Sequence, residues 1–201
     1  MKAYSVDNVL NARFRTLDFE GKWKEAIGCP ELAGTWMIFG PPKNGKTTFA
    51  MQLAKYLCNF KRVAYNSVEE GLSLSIQMAM ERVNMTEVGS KLILLEKEPF
   101  EELLSRLSKH KSPDVVIIDS IQFMELSFKQ YKLLKEKFPK KLFIYISHID
   151  GKQPDGCTAK RIWRDCNVYF RIEGYRAFPQ GRFGGGNHID IFEQKANEYW
   201  L

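Results

Sequence analysis

The 201-residue chain predicts an α/β fold built around a mostly parallel central sheet. Short apolar, β-branched or aromatic runs alternate with longer stretches whose apolar residues recur at helical spacing, a pattern typical of strands joined by crossover helices. Pro99, Pro113 and Pro139 fall between these runs, where a missing backbone donor disturbs no sheet ladder. The length is that of one domain.

The elements follow in order from this alternation. Five parallel strands are expected at residues 35–39, 62–66, 91–95, 115–119 and 142–147. Helices are expected between them at 46–60, 71–84, 100–110 and 126–138, lengths that suit right-handed crossovers.

The composition of the chain changes after Ser147. The segment HIDGKQPDGC is polar, with two glycines and a proline, and predicts a mobile loop. Residues 167–172 and 188–193 are expected to be antiparallel edge strands at the C-terminal end, separated by a turn that contains GRFGGGN. At the other end, residues 1–30 are expected to form a lead-in packed on the core through Trp23 and Ile27, and residues 31–201 form the main domain.

Composition excludes several classes of protein. With 44% hydrophobic and 27% charged residues the chain is globular, neither disordered nor fibrous. Its four cysteines form no CxxC and no His/Cys cluster, which argues against a disulfide framework or a zinc site. The N-terminus lacks a signal-peptide core, and no apolar run is long enough to span a bilayer. We therefore expect a reduced, cytoplasmic protein without a membrane partner.

The strongest motif is GPPKNGKT, which fits GxxxxGK[ST] between an apolar strand and a helix. Glycines allow the backbone N–H groups to point at phosphate oxygens, and the helix N-terminus adds its positive dipole end. Lys46 is expected to reach the β and γ phosphates of ATP, and the Thr47 hydroxyl to bind Mg²⁺. The expected nucleotide contacts are Gly40, Pro41, Pro42, Lys43, Asn44, Gly45, Lys46, Thr47 and Thr48.

Three further polar residues follow strands of the same sheet. Asp119 ends the strand VVIID and is expected to hold Mg²⁺ through its water shell. Glu69, in NSVEEG, is the expected group that activates the attacking water; Glu70 competes for this role, and both also suit a helix N-terminus. His148 follows the strand LFIYIS and is expected to contact the γ-phosphate and to transmit nucleotide state to the next loop.

Together these motifs resemble the RecA-like ATPases, the group that contains RecA, RadA and the DnaB-type helicases. The resemblance spans residues 32–192 and rests on the P-loop, NSVEEG, IIDSIQ and SHID. It implies a RecA-like P-loop core, with Glu69 as catalytic glutamate and His148 as γ-phosphate sensor. GRFGGG resembles the basic segment of RadA that reaches a neighbouring subunit's nucleotide, which implies an arginine finger at Arg182 in a ring or filament. Gln180 and Gly181 depart from the lysine and asparagine of that segment.

The net charge of +6 is concentrated in two segments. Residues 129–141 carry six lysines and one glutamate, which a solvated helix face explains. Residues 160–182 carry six basic and two acidic residues and follow the loop that corresponds to the second DNA-binding loop of the RecA-like group. Possible phosphate contacts there are Lys152, Lys160, Arg161 and Arg164, with Trp163 either stacking on a base or buried in the core.

The sequence thus predicts a Mg²⁺-dependent, oligomeric ATPase that acts on single-stranded DNA in recombination, annealing or replication. Its short core is most similar to the small RecA-like ATPases of phages and mobile elements. The alternative is a KaiC-like module in which ATP controls protein partners without DNA. A small-molecule kinase also uses a P-loop, but the Arg182 segment fits a subunit interface better.

Overall fold

The computed structural model describes residues 3–201, so Met1 and Lys2 of the predicted lead-in lie outside the described residues. An eight-stranded sheet has the order β10-β9-β8-β1-β5-β4-β2-β3, and a two-stranded ribbon pairs β6 with β7. The strands are β1 Gly34–Phe39, β2 Val63–Ser67, β3 Leu92–Glu96, β4 Val115–Asp119, β5 Leu142–Ser147, β6 Ile149–Asp150, β7 Gln153–Pro154, β8 Val168–Glu173, β9 Arg176–Gly181 and β10 Ile189–Asp190.

Six strands, from β8 to β3 in sheet order, are parallel, while β9 and β10 continue the sheet antiparallel. The predicted fold class is confirmed. Residues of β1 alternate between the two faces: Trp36 and Ile38 belong to one core cluster, and Met37 and Phe39 to the other. Both sheet faces are covered, so the central strands read as continuous apolar runs.

Helices flank the sheet on both sides. Helices α2, α3 and α4 contribute to the first core cluster, and α5, α6 and α7 to the second. The helices are α1 Val6–Leu10, α2 Gly21–Ile27, α3 Lys46–Leu57, α4 Leu74–Arg82, α5 Phe100–Leu107, α6 Phe128–Lys137, α7 Cys157–Asp165 and α8 Glu193–Trp200, with a 3₁₀ segment at Met85–Lys91. None of the helices in residues 3–201 has the length and apolar character needed to cross a bilayer.

The C-terminal third differs from the sequence-based expectation. The predicted loop after His148 is the short β6–β7 ribbon followed by α7, and much of the predicted turn before GRFGGGN is β9. The strand expected at 167–172 forms as β8, but it pairs parallel with β1 inside the sheet and is not an antiparallel edge strand, because β9 and β10 continue the sheet beyond it. The strand expected at 188–193 is limited to β10, and α8 follows it. Helix α7 was missed because Cys157–Asp165 is short and polar on average, and its buried residues are only Ala159 and Ile162.

The N-terminal segment divides into two parts. Trp23 and Ile27 are buried as expected, and Thr16 pairs with Glu31 in an isolated bridge. Residues 3–16, in contrast, are all exposed. The expected packing on the core therefore applies from Leu17 onward and not to the residues before it. The domain boundary near residue 30 stays a prediction.

Candidate active site

The loop between β1 and α3 has the backbone that a phosphate cradle needs. Gly45 adopts φ +94°, a left-handed conformation that disfavours other residues, and α3 begins immediately after it at Lys46. Gly40 is required for space, because a Cβ there would lie 2.2 Å from the carbonyl oxygen of Ile172 on β8. The predicted P-loop therefore forms at the junction where β1, β8 and α3 meet.

Lys46 projects back along this loop. Its Nζ donates a hydrogen bond to the carbonyl oxygen of Pro41 at 2.8 Å. Burial lowers the pKa of Lys46, and the nearby carboxylates of Asp119 and Glu69 oppose that shift. The ammonium group thus lies within the field of both predicted acidic residues, although they come from different strands.

Asp119 is a buried carboxylate at the end of β4, with 7% of its surface exposed. It accepts a hydrogen bond from the Tyr65 hydroxyl of β2. Burial is the largest cause that raises the pKa of Asp119 to about 6, while the Tyr65 hydrogen bond and Lys46 act in the opposite direction. A buried carboxylate whose charge is incompletely compensated suits a cation, and the Thr47 side chain lines the same cavity.

Glu69 and His148 face each other across the ends of two strands. His148 Nε2 lies 3.4 Å from Glu69 Oε2. The backbone N–H groups of Val68 and Glu69 both donate to the carbonyl oxygen of Asp119, at 2.7 and 2.9 Å, which holds Glu69 beside the end of β4. Glu70 instead accepts a hydrogen bond from the Ser75 hydroxyl at the start of α4.

These residues converge on one cavity of about 520 Å³. Among the predicted residues, Pro42, Lys43, Gly45, Lys46, Thr47, Thr48, Glu69, Glu70, Asp119 and His148 line it. Gly40, Pro41 and Asn44 do not line the cavity but shape its loop: the Asn44 side-chain oxygen accepts a hydrogen bond from the Gly174 N–H at 2.8 Å.

Four residues of this cavity were missed by sequence reasoning: Arg82, Tyr175, Phe192 and Lys195. The Tyr175 and Phe192 rings lie 6.1 Å apart, and Lys195 Nζ is 5.2 Å from the Tyr175 centroid and 5.5 Å from the Phe192 centroid. They come from α4, the β8–β9 turn and the region of α8. No local motif connects these segments, so no sequence signal could have assembled them.

Gln122 links the end of β5 to the β6–β7 ribbon beyond it. Its Nε2 donates to Ser147 Oγ and to the Asp155 carbonyl oxygen, both at 2.9 Å, and its Oε1 accepts the His148 N–H at 3.3 Å. Phe123, next to it, lies 6.1 Å from the His148 ring. A shift of the backbone at His148 would therefore be felt at Asp155 in the β6–β7 region.

Arg182 lies beyond the opposite end of the strands from this cavity. Because β9 runs antiparallel to β8, Gly181 pairs with Val168 at the start of β8, and the Arg182 N–H donates to the Asn167 carbonyl oxygen at 3.1 Å. The length of a six-residue strand, about 20 Å, separates that end from the P-loop. The structure does not bring Arg182 into the cavity of its own chain.

The predicted phosphate-contacting residues lie on the ribbon and on α7, not in a loop. Lys152 is exposed between β6 and β7, and Arg161 lies 3.6 Å from the Phe128 ring centroid of α6. Trp163 packs against Phe39 and Tyr169 at the edge of the second core cluster. The two basic segments, distant in sequence, thus meet where α6 contacts α7.

A phosphate-binding loop, an acidic strand end and a cavity that joins them define the chain as a P-loop ATPase. It belongs to the ATPase family associated with various cellular activities (AAA), which matches residues 36–144. This range contains Lys46, Glu69 and Asp119 and ends before His148 and Arg182. No curated protein gives a significant match to the chain.

Solved structures share the RecA-like fold over most of the chain. The flagellar accessory protein FlaH from Methanocaldococcus jannaschii has a TM-score of 0.61 and 17% identity, covering 89% of this chain and 92% of its own. A KaiC-like protein from Pyrococcus horikoshii OT3 has a TM-score of 0.63 and 14% identity, covering 88% and 94%. The RadB recombinase has a TM-score of 0.54 and 20% identity, covering 83% and 90%. At these identities the likeness concerns the fold alone.

Proposed function

We propose that the protein hydrolyses MgATP as a ring or filament of identical subunits, at sites completed by Arg182 of an adjacent copy, and that it acts on single-stranded DNA. The observation that carries this proposal is the separation of Arg182 from its own cavity, where the other candidate catalytic groups converge. An arginine at the opposite sheet edge reaches a phosphate only when a second subunit supplies that phosphate.

Within the cavity the roles follow from position. The P-loop N–H groups and Lys46 bind the β and γ phosphates. Glu69, held beside Asp119 by two backbone hydrogen bonds, orients and deprotonates the attacking water, with His148 facing it near the γ-phosphate. Glu70, bonded to Ser75, serves the start of α4. Arg182 of the next subunit stabilises charge on the transferred phosphoryl group.

Thr47 and Asp119 are the residues that would hold Mg²⁺. No cluster of three or more acidic, histidine or cysteine ligands occurs within residues 3–201, which fits an ion held by few protein groups and by phosphate oxygens. When bound, Mg²⁺ neutralises phosphate charge. Asp119 supplies the carboxylate, and Tyr65 orients it through the hydroxyl hydrogen bond.

The aromatic pair Tyr175 and Phe192 is suited to contact the nucleotide base. Both rings line the cavity that contains Thr47 and Thr48, and flat apolar rings bind a purine by stacking. Lys195, held against both rings, is within the same cavity.

Single-stranded DNA is proposed as the polyanion because α6 and α7, which both carry basic residues, contact each other. Lys152 lies in the turn of the β6–β7 ribbon, and Lys160, Arg161 and Arg164 lie on α7, where Lys160 pairs with Asp150 of β6 at 3.5 Å. Gln122 connects this region to the γ-phosphate sensor, which provides a route from nucleotide state to DNA contact. Recombination or annealing by a short phage-type or mobile-element ATPase is the corresponding biological role.

The arginine finger is tested by mixing two inactive variants. Arg182→Ala and Lys46→Ala should each abolish steady-state ATP hydrolysis, but a mixture should regain activity because some interfaces then combine an intact Lys46 with an intact Arg182. Loss of hydrolysis from the finger alone is expected to be on the order of 10³-fold. Arg164→Ala is the control, because Arg164 is also an exposed arginine. In assays without DNA it should hydrolyse ATP like the wild type. A mixture that stays inactive contradicts action in trans.

A second candidate function is a KaiC-like module that controls protein partners, and the fold shared with the KaiC-like protein and FlaH favours it. The two functions differ in their response to DNA. If DNA is the partner, single-stranded oligonucleotides should stimulate ATP hydrolysis, and binding should weaken steeply between low and moderate salt. Unchanged hydrolysis together with salt-independent or absent binding would favour the protein-binding module.

A further inference from the structure

The turn between β8 and β9 is strained at a residue that lines the ATP cavity. Glu173 and Arg176 pair across this hairpin, so the turn itself contains only Gly174 and Tyr175. Both have positive φ, +51° and +59°, as in a type I′ turn, whose second position favours glycine. A left-handed backbone is costly for a residue as bulky as tyrosine. Such strain persists where surrounding contacts fix it and is concentrated at ligand sites, which points to a use for the Tyr175 ring.

Gly174 is held from two sides. Its N–H donates to Oδ1 of Asn44 in the P-loop at 2.8 Å, and its carbonyl oxygen accepts a hydrogen bond from Trp200 Nε1 at 3.1 Å. This carbonyl belongs to the peptide unit that leads into Tyr175, so the indole hydrogen bond restricts how that peptide unit is oriented. One buried residue thus joins the phosphate-binding loop to the last turn of α8.

Further contacts fix Tyr175 on the side of the cavity. Its carbonyl oxygen accepts the Ile191 N–H at 2.9 Å, and Gln52 Nε2 of α3 donates to the Ile191 carbonyl oxygen at 3.0 Å. A Cβ on Gly45 would lie 3.5 Å from Tyr175 Cδ1, an ordinary van der Waals distance. The Tyr175 ring therefore lies against the P-loop residue that precedes α3.

Helix α8 has little core packing of its own. Ala196 is its one buried residue, and Tyr199 and Trp200 are 55% and 41% exposed. The Trp200 ring packs edge-on against Phe178 of β9, with 5.5 Å between the ring centroids, and its N–H bonds to Gly174. The position of α8 thus depends on the contacts of its last turn with the hairpin.

We propose that Trp200 is a positioning residue of the nucleotide site. By donating to Gly174 it fixes the peptide unit that leads into Tyr175, and it thereby holds the Tyr175 ring against the nucleotide base. The inference rests on the base contact by Tyr175 and Phe192 in the proposed function. Trp200 lies outside the cavity lining, so it acts through Tyr175 and contributes to the affinity for the base, not to transfer of the phosphoryl group.

A comparison of ATP with inorganic tripolyphosphate, which lacks the base and the ribose, tests this role. Trp200→Phe removes the indole N–H and keeps a ring beside Phe178. It should weaken ATP binding by about 3- to 10-fold, the contribution of one hydrogen bond, and leave tripolyphosphate binding unchanged, both measured by calorimetry with Mg²⁺. The KM for ATP should rise by the same factor with kcat unchanged, which is the signature of lost binding without lost chemistry.

Tyr199→Phe is the matched control, because it changes the adjacent exposed aromatic residue and leaves the Trp200 hydrogen bond in place. It should bind both ligands like the wild type. If Trp200→Phe weakens ATP and tripolyphosphate equally, the substitution has disturbed the P-loop itself and the proposal is overturned. Unchanged ATP binding by Trp200→Phe overturns it as well.

A double-mutant cycle determines whether Trp200 acts through Tyr175. Tyr175→Asn removes the ring, while asparagine tolerates the left-handed backbone of the turn. It should weaken the binding of ATP and not that of tripolyphosphate. Trp200→Phe added to Tyr175→Asn should then weaken ATP binding no further, since coupled residues are not additive. A full additional loss contradicts action through Tyr175.

The outcomes separate this proposal from the proposed function. If Tyr175→Asn weakens ATP binding and Trp200→Phe does not, the base contact stands and the positioning role is wrong. If neither variant changes ATP binding, both are wrong. If only Trp200→Phe weakens ATP binding, Trp200 acts by another route, and the base contact by Tyr175 fails together with the positioning role.

Discussion

The ATP cavity and the groove between α4 and β3, called the α4 groove and lined by residues such as Leu72, Leu74 and Met80, share one helix but differ in polarity and in their position in the sheet. The cavity is polar, lies at the carboxyl ends of parallel strands and depends on backbone geometry at Gly40 and Gly45. The groove is apolar, lies at the β3 edge and presents Leu72 and Leu74. A small charged ligand needs fixed dipoles, while a protein segment needs exposed apolar area. Helix α4 thus lies between a polar cavity and an apolar groove.

A single substitution in the cavity and a single substitution in the groove should have different consequences, and the substitution in the cavity gives the largest effect we expect. Glu69→Gln should lower kcat by about 10²- to 10⁴-fold, because the attacking water loses its base, while ATP binding and self-association stay near wild type. Leu74→Asp, at a 70% exposed position of the α4 groove, should leave kcat and ATP binding near wild type. Single-turnover hydrolysis and sedimentation measure the two properties.

Glu70→Gln is the control for the carboxylate assignment. It keeps an acceptor for the Ser75 hydroxyl and should change kcat by less than about tenfold. If Glu70→Gln is the slower enzyme, the catalytic role passes to Glu70. If Leu74→Asp abolishes nucleotide binding by the monomer, the cavity and the groove are not separable and the comparison fails.

A smaller effect concerns the electrostatic cost of building the cavity. The raised pKa of Asp119, about 6 against 3.8, means that the folded state binds this proton more tightly than the unfolded state. Ionisation of Asp119 therefore lowers the free energy of unfolding progressively as the pH rises from 4 to 6. The full penalty is present at pH 7 and is absent below pH 4. Asp119→Asn should increase the free energy of unfolding at pH 7 by about 2–3 kcal/mol, and the difference from wild type should vanish near pH 4.

Urea unfolding without nucleotide or Mg²⁺ at a series of pH values measures this difference. The variant should also lose the dependence of ATP binding on Mg²⁺. On this view the buried carboxylate that suits a cation costs folding stability. An Asp119→Asn variant that is less stable than the wild type at pH 7 would contradict it.

The central sheet was predictable because its signals are local. The strands around Trp36, Tyr65 and Ile117 are continuous apolar runs, and each is buried on both faces. The predicted strand bounds differ from the observed ones by about one residue. The C-terminal region was harder, since α7 buries only Ala159 and Ile162 and carries basic residues that read as loop. Helix α8 has the same difficulty, with Ala196 as its one buried residue.

The candidate site divides in the same way. Lys46, Glu69, Asp119 and His148 each lie at or after the end of a recognisable strand, and the carboxyl ends of parallel strands lie side by side. Tyr175, Phe192 and Lys195 complete the cavity from the β8–β9 turn and the region of α8, because Trp200 Nε1 donates to the Gly174 carbonyl oxygen at 3.1 Å and holds α8 there. That contact joins residues 26 positions apart and has no sequence pattern.

The amino-acid sequence by itself determined the P-loop, the order of the parallel strands' polar ends and the fold class, since each depends on residues that are neighbours along the chain. Tertiary structure decided the rest. It set Arg182 at the far end of the strands through the antiparallel pairing of β9 with β8, brought the two basic segments together at α6 and α7, and left residues 3–16 and the α4 groove exposed. These features depend on the relative placement of distant segments, which long-range packing and strand pairing control.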